Sequence, residues 1–421
     1  MRLVVEEVDH ANVSREIRMS YCPDMSRLLE RRTFWLLALF AVAVRIALIA
    51  TTYGTNDAGF MAVSVDLVRR VGISRSYAHT AMMNHPPFSF AYMRVIDMLA
   101  NALGIAFVDV FRFFQVLADV VAAIALFRIG RRTSVEHGRS LALFLLLSPG
   151  AAFISGFHCN TDATMVALVC VAAAAMSGTA LALATGIKIV PFLFAPIFVM
   201  SLPAGKAIRF AAAFIITAIV IFVPPIIIGG PIVARVVFGY RGGLPYEWGI
   251  PGVAFALSRT VPALHTIGQN VMLFWRAYGG WFAYAGILAV WLLVYRTKAS
   301  RAEARGHTEA MLHAIEIMLL MVLALAPGFG VQYIGWLIAF LPFAFSWRGA
   351  ILMNAAISLF LFVTYTVWSG GWPWWFADIT RAGPHRWVAA GAGYVMWAIV
   401  CGALVVSVRR FTAATRSETA D

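Results

Sequence analysis

The sequence predicts an all-α polytopic membrane protein, on three observations. Mostly apolar runs of eighteen or more residues recur along the chain, each about the length that spans a bilayer. Hydrophobic residues make up 61% of the 421 and charged residues only 13%, roughly half the charge of a soluble domain. Lys and Arg gather in short segments between the apolar runs, as expected of cytoplasmic loops.

Taken in order, residues 1–32 are polar, mix Arg with acidic residues and lack a signal-peptide cleavage pattern. They read as a cytoplasmic segment, and the first span stays in place as an anchor. Spans are expected near 33–52, 109–128, 139–156, 162–176, 178–189, 190–203, 207–228, 271–295, 309–326, 331–346, 349–368 and 387–408. Residues 33–408 thus form one domain, a bundle of about 11–13 transmembrane helices, and 409–421 form a cytoplasmic tail. Segment 178–203 is short for the two full spans that parity demands. Two short tilted helices around the Lys188–Pro191 bend satisfy it, and so does a re-entrant pair.

The first loop, 53–108, contains two stretches that read as helical but not spanning. In 58–71, Met61, Val65 and Val68 share one side, with Asp66, Arg69 and Arg70 outside that stripe. In 88–103, Arg94, Asp97 and Asn101 recur at steps of three and four, opposite Phe88, Tyr92, Val95, Met98 and Leu99. Such helices lie in the interface plane. In the second span, Arg112, Gln115 and Asp119 form a stripe that reads as an internal structural seam, with Asp119 paired to a basic neighbour.

The net charge of +13 sits mostly between spans, and no soluble basic module is visible, so nucleic acid is not an expected partner. Cys22, Cys159, Cys170 and Cys401 show no CxxC or CxxH spacing and read as free thiols. There is no Walker loop, GxGxxG, HExxH or GxSxG. The basic segments 127–139, 204–209, 295–307, 346–349 and 408–411 all face the cytoplasm if both termini lie inside. On that topology "YGTNDAGF", "MMNHPPFSF", "SGFHCNTDA", "YRGGLPYEWGIPG", "APGFGVQYIGW" and "SGGWPWWFADITRAGPHR" all land on the other side. A one-sided cluster of polar loops describes a catalytic or binding face.

Each candidate in these loops has two readings. Asp57 begins a helix, as its N-cap or as a general base whose basicity is raised by shielding at the membrane surface. Pro86–Pro87 open the second in-plane helix, with His85 before them as a surface or a catalytic histidine. His158, Asn160 and Asp162 crowd a span boundary, where Thr161 or Asp162 is a cap or the group lines a site. Lys188 snorkels or holds a phosphate at headgroup level. Pro327, Gly328 and Gly330 break the helix ahead of Gln332 and Tyr333 and let backbone approach a ligand closely. Trp372, Trp374 and Trp375 read as an interfacial belt before they read as sugar-stacking groups.

Together these motifs resemble the GT-C superfamily of integral-membrane glycosyltransferases, which use polyprenyl- or dolichyl-phosphate sugar donors. The resemblance spans roughly residues 33–408. It rests on "TNDAGF" after the first span, "HPPFSFAY" opening the second in-plane helix, "GFHCNTDA", "GIKIVPFLFAP" and "PGFGVQYIGWLIAF". Phe88 stands where Leu is commoner, and a single Asp replaces the DD or DE pair of the metal-dependent oligosaccharyltransferase branch. The resemblance implies an inverting hexosyltransferase, for mannose or glucose, with Asp57 as base. It makes Lys188, Arg94 and His85 candidates for the donor phosphate. His158, Asn160, Asp162, Tyr246, Glu247, Gln332 and Tyr333 become candidates for the sugar or acceptor cavity. No cofactor is expected, and a divalent cation is left open. The implied partners are the lipid-phosphate sugar, membrane lipid and a glycan, lipid or protein acceptor.

Two other classes compete. A lipid-sugar flippase or transporter predicts an inverted repeat and breaks near the midplane, and no convincing repeat is visible. An O-antigen-type polymerase or ligase relies on a large late loop, and 369–386, with Arg381, His385 and Arg386, is short for one. The short polar N-terminus, minimal tail and missing retention signal point to a bacterial inner membrane.

Overall fold

The computed structural model describes residues 30–80, 83–239, 247–298, 307–381 and 383–417. Its main helices are α1 Arg31–Thr51, α2 Asn56–Val71, α3 Pro87–Leu103, α4 Phe107–Gly130, α5 Val135–Leu146, α6 Asp162–Ala175, α7 Gly178–Ile187 and α8 Ala195–Ser201. They continue with α9 Ala204–Gly229, α10 Pro231–Gly239, α11 Gly249–Thr260, α12 His265–Lys298, α13 His307–Leu325, α14 Trp347–Ser369 and α15 Arg386–Ser417. Among the described residues the one sheet is a parallel pair, β1 Gly54–Thr55 with β2 Phe376–Ala377.

Seven helices, α1, α4, α9, α12, α13, α14 and α15, are long and apolar enough to cross a membrane, so the chain is a multi-pass membrane protein. Helix α5 and Pro149–His158 are together apolar and long enough for an eighth span but are bent by 52°, the form of a broken span or a re-entrant loop. Ser148 caps a new turn there, and Pro149 has no N–H to continue the ladder. Helices α4 and α13 are mostly buried, whereas α1 and α9 are mostly exposed. Beyond its basic first turns, with Lys206 and Arg209 exposed, the exposed side chains of α9, such as Ile216, Ile227 and Ile228, are apolar, as a lipid-facing surface requires.

The remaining predicted spans take other forms. Segments 162–176, 178–189 and 190–203 are short apolar helices. Helix α7 has 10 residues, about 15 Å and half a hydrocarbon core. Lys188 then turns extended, and a 3-10 turn, Val190–Phe194, leads into α8. The predicted span at 331–346 is not an α-helix: Val331–Leu337 is 3-10, followed by the four residues Leu341–Ala344. Pro342, lacking an N–H, sits in that last short helix. Val331, Ile334, Trp336, Leu337, Ile338, Phe340 and Leu341 are all buried. Irregular backbone at membrane depth is tolerated where protein, not lipid, surrounds it.

The first loop forms both expected helices. Pro86 precedes α3 and Pro87 opens it. The polar face of α3 turns toward α2: Asp97, buried, accepts from Arg69 at 2.5 Å and also pairs with Arg94. Val95, Met98 and Leu99 are left exposed. The seam in α4 is structural as expected, since Arg45 of α1 meets Asp119 at 2.9 Å with both buried. The described cysteines, Cys159, Cys170 and Cys401, are free; Cys22 and most of 1–32 lie outside the described residues.

Candidate active site

Residues from five of the six polar loops line one cavity of about 740 Å³; none of the described residues of the "YRGGLPYEWGIPG" loop does. Asp57 reaches it from the first turn of α2. Thr55, not Asp57, is the N-cap, accepting from the Asp57 N–H at 3.3 Å. The same Thr55 hydroxyl donates to the His158 carbonyl at 2.7 Å. Gly54 makes this approach possible: its φ is +113°, and a Cβ there would lie 2.8 Å from the Phe157 carbonyl oxygen. On the facing side the chain widens into a π-helix, Phe153–His158, and Cys159 then takes a left-handed φ of 66°. That turn presents His158 and Asn160 to the same carboxylate.

Asp57 Oδ2 accepts from Asn160 Nδ2 at 2.5 Å and lies 3.1 Å from His158 Nε2. Both bonds fall on this oxygen, and Oδ1 takes no hydrogen bond among the described residues. Burial pushes the Asp57 carboxyl up. Hydrogen bonds from His158 and Asn160 and the Lys188 charge oppose it, and the group is held below its ordinary value. The expected raised basicity is therefore reversed, and Asp57 is ionised at neutral pH. His85 is neutral: burial and the neighbouring Lys188 push it down to about 4. Asn160 Oδ1 accepts from the Thr161 N–H at 2.7 Å, which fixes its amide, and the His85 ring bridges two amide oxygens, Nε2 3.2 Å from Asn160 Oδ1 and Nδ1 2.7 Å from Asn84 Oδ1.

Lys188 enters at the break after α7. Its Nζ donates to Asp162 Oδ1 at 2.7 Å and lies over the faces of Tyr333 and Trp336, 5.1 and 5.5 Å from their centroids. Trp336 Nε1 donates to the same Asp162 oxygen at 2.5 Å. Asp162 therefore serves Lys188 rather than capping α6, and it is buried behind the cavity wall. The cavity continues into an apolar half bounded by Phe60 and Met61 of α2, Val237 of α10, and Ala277, Gly280, Trp281, Ala283 and Tyr284 of α12. Trp281 and Tyr284 are largely exposed on the outer surface of the bundle.

Of the residues expected at the site, Asp57, His85, His158, Asn160, Lys188, Gln332 and Tyr333 line this cavity. Arg94 does not: its guanidinium is engaged by Asp97 in its own helix. Glu247 also lies elsewhere, ahead of α11, where burial raises it to about 7 against the opposing charge of Arg386. Tyr246 falls outside the described residues. Trp372 and Trp375 are exposed, but Trp374 is buried against Phe153 and Phe157. Asn84, Trp336 and Trp368 complete the polar end, and Tyr365 supports it from behind, its hydroxyl 2.8 Å from His158 Nδ1. Trp336 follows Tyr333 by one 3-10 turn, a spacing visible once that segment is read as 3-10. Tyr365 carries only one weak signal, a hydroxyl in an apolar span.

Among the described residues no three His, Cys, Asp or Glu side chains gather as a metal-ligand set. Comparison with models of known families and with curated proteins finds no match to this chain.

Proposed function

We propose that this protein is an inverting glycosyltransferase of the GT-C type, moving a hexose from a polyprenyl-phosphate donor to an acceptor hydroxyl outside the cytoplasm. One observation carries the reading. Among the described residues the cavity is lined by one carboxylate, Asp57, and one ammonium, Lys188, at a polar end, and it runs on into an apolar half walled by α2, α10 and α12. An amphipathic donor matches that gradient, with its phosphate near Lys188 and its hydrocarbon against the apolar wall.

In this reading the acceptor hydroxyl approaches Oδ1 of Asp57. Its oxygen attacks the anomeric carbon as the bond to the lipid phosphate breaks, and that electron pair leaves on the phosphate oxygen beside Lys188. The proton passes to Asp57. A carboxylate held below its ordinary pKa is a modest base, so transfer comes late, when bond formation has made the hydroxyl acidic. The charge bias of the loops favours a site on the extracytoplasmic face of a bacterial inner membrane, where nucleotide sugars are absent and activation arrives on a lipid.

Mass spectrometry of cell-envelope glycans with and without the gene tests this. The expected result is loss of one hexose from a defined glycan, and an unchanged profile would refute the reading. Lys188 offers a sharper test on purified protein. Lys188→Met should raise the KM for a polyprenyl-phosphate hexose at least tenfold and also destabilise the protein, since Asp162 is left buried and unpaired. Lys188→Met combined with Asp162→Asn should recover the thermal stability but not the KM.

A further inference from the structure

We propose that Tyr365 is a positioning residue: its hydroxyl fixes the tautomer of His158, and through it the asymmetry of the Asp57 carboxylate. Three groups stand in line, Tyr365 Oη 2.8 Å from His158 Nδ1, and His158 Nε2 3.1 Å from Asp57 Oδ2. Tyr365 is fully buried and His158 nearly so. The Tyr365 ring is held by Phe157 at 5.3 Å and Trp374 at 5.7 Å between centroids, which leaves the hydroxyl as its polar contact with the site.

The direction of each hydrogen follows from the carboxylate. Asp57 Oδ2 only accepts, so Nε2 must carry the proton. In a neutral ring Nδ1 is then an acceptor, and the Tyr365 O–H is the donor that satisfies it, whereas a doubly protonated ring would donate from both nitrogens. Without that hydroxyl the ring has two poor choices. It keeps a buried, unsatisfied Nδ1, or it moves its proton to Nδ1 and turns the Nε2 lone pair on the carboxylate. The second choice removes one of the two donors on Oδ2. With both donors in place Oδ2 is occupied and Oδ1 is the oxygen left for an incoming hydroxyl. This role in turnover rests on the glycosyltransferase reading, whereas the tautomer itself does not.

The test is ¹⁵N NMR of full-length protein labelled at histidine, in lipid nanodiscs without substrate, with His158 assigned from the signal lost in His158→Asn. Wild type should show Nε2–H with an unprotonated Nδ1. Tyr365→Phe, which keeps the ring contacts, should show an Nδ1–H population. Turnover of a polyprenyl-phosphate hexose by Tyr365→Phe should fall roughly ten- to a hundredfold at a near-constant KM. An Nδ1–H in wild type, as the other tautomer or on a doubly protonated ring, overturns the proposal even if the variant does not fold. A tautomer and kcat unchanged in Tyr365→Phe also overturn it. Should wild type transfer no sugar while its tautomer responds to Tyr365→Phe, the glycosyltransferase reading falls and the positioning stands.

Discussion

Asp57→Asn is expected, on the glycosyltransferase reading, to lower sugar transfer by about a thousandfold while the protein still accumulates in the membrane, because a positioned general base contributes roughly 10²–10⁴. The substitution is close to isosteric. The oxygen of the new amide, placed where Oδ2 lies, still accepts from Asn160 and His158, so β1, α2 and the π-helix keep their contacts. An amide cannot take the acceptor's proton. The loss should therefore fall on kcat, with donor KM changed by less than about threefold. Rates from a radiolabelled polyprenyl-phosphate hexose in proteoliposomes would show it, and turnover equal to wild type would remove Asp57 from the mechanism.

The second large effect concerns the fold. Arg45 is buried in the bundle and binds Asp119 at 2.9 Å, Ser155 at 3.2 Å, and the carbonyls of Ala41 and Leu146 at 3.1 and 2.6 Å. It ties α1 to α4 and to the bend after α5. Arg45→Met strips these partners and leaves a carboxylate unpaired inside the protein, for which a loss of about 3–5 kcal/mol is expected. Arg45→Met combined with Asp119→Leu should recover most of that loss, because a buried pair replaced by apolar groups of similar volume is often neutral. Thermal unfolding in detergent, followed by size-exclusion fluorescence, measures both. A single variant as stable as wild type would show the pair to be dispensable.

The membrane class, the two helices of the first loop and the seam in α4 were legible because each is a local pattern: length of apolar run, helical spacing, charge between spans. The 331–346 segment was not. Hydropathy reports that a stretch is buried but not whether lipid or protein buries it, and only protein can shield a 3-10 backbone. At the site, sequence gathered Asp57, His85, His158, Asn160, Gln332 and Tyr333 by their common placement in polar loops, and Lys188 as the lone lysine of a hydrophobic stretch. It could not show that His158 and Asn160 share one oxygen of Asp57, since that depends on Gly54 lying against the Phe157 carbonyl. Arg94 misled for the opposite reason. Its partner, Asp97, stands three residues along the same helix, and a local ion pair is a sufficient account of that arginine.

The parallel pairing of Gly54–Thr55 with Phe376–Ala377, with the Tyr53 N–H bonded to the Trp375 carbonyl at 2.7 Å, stitches the stretch just before Asp57 to a loop near the far end of the chain. A peptide tag or extra residues spliced between Gly370 and Asp378 would tug that stitch, and the carboxylate two residues beyond Thr55 would shift with it. Surface loops usually accept such splices. Here the register of two paired residues sets the aim of the Asp57 carboxylate, so this loop should be among the least forgiving places to cut the chain.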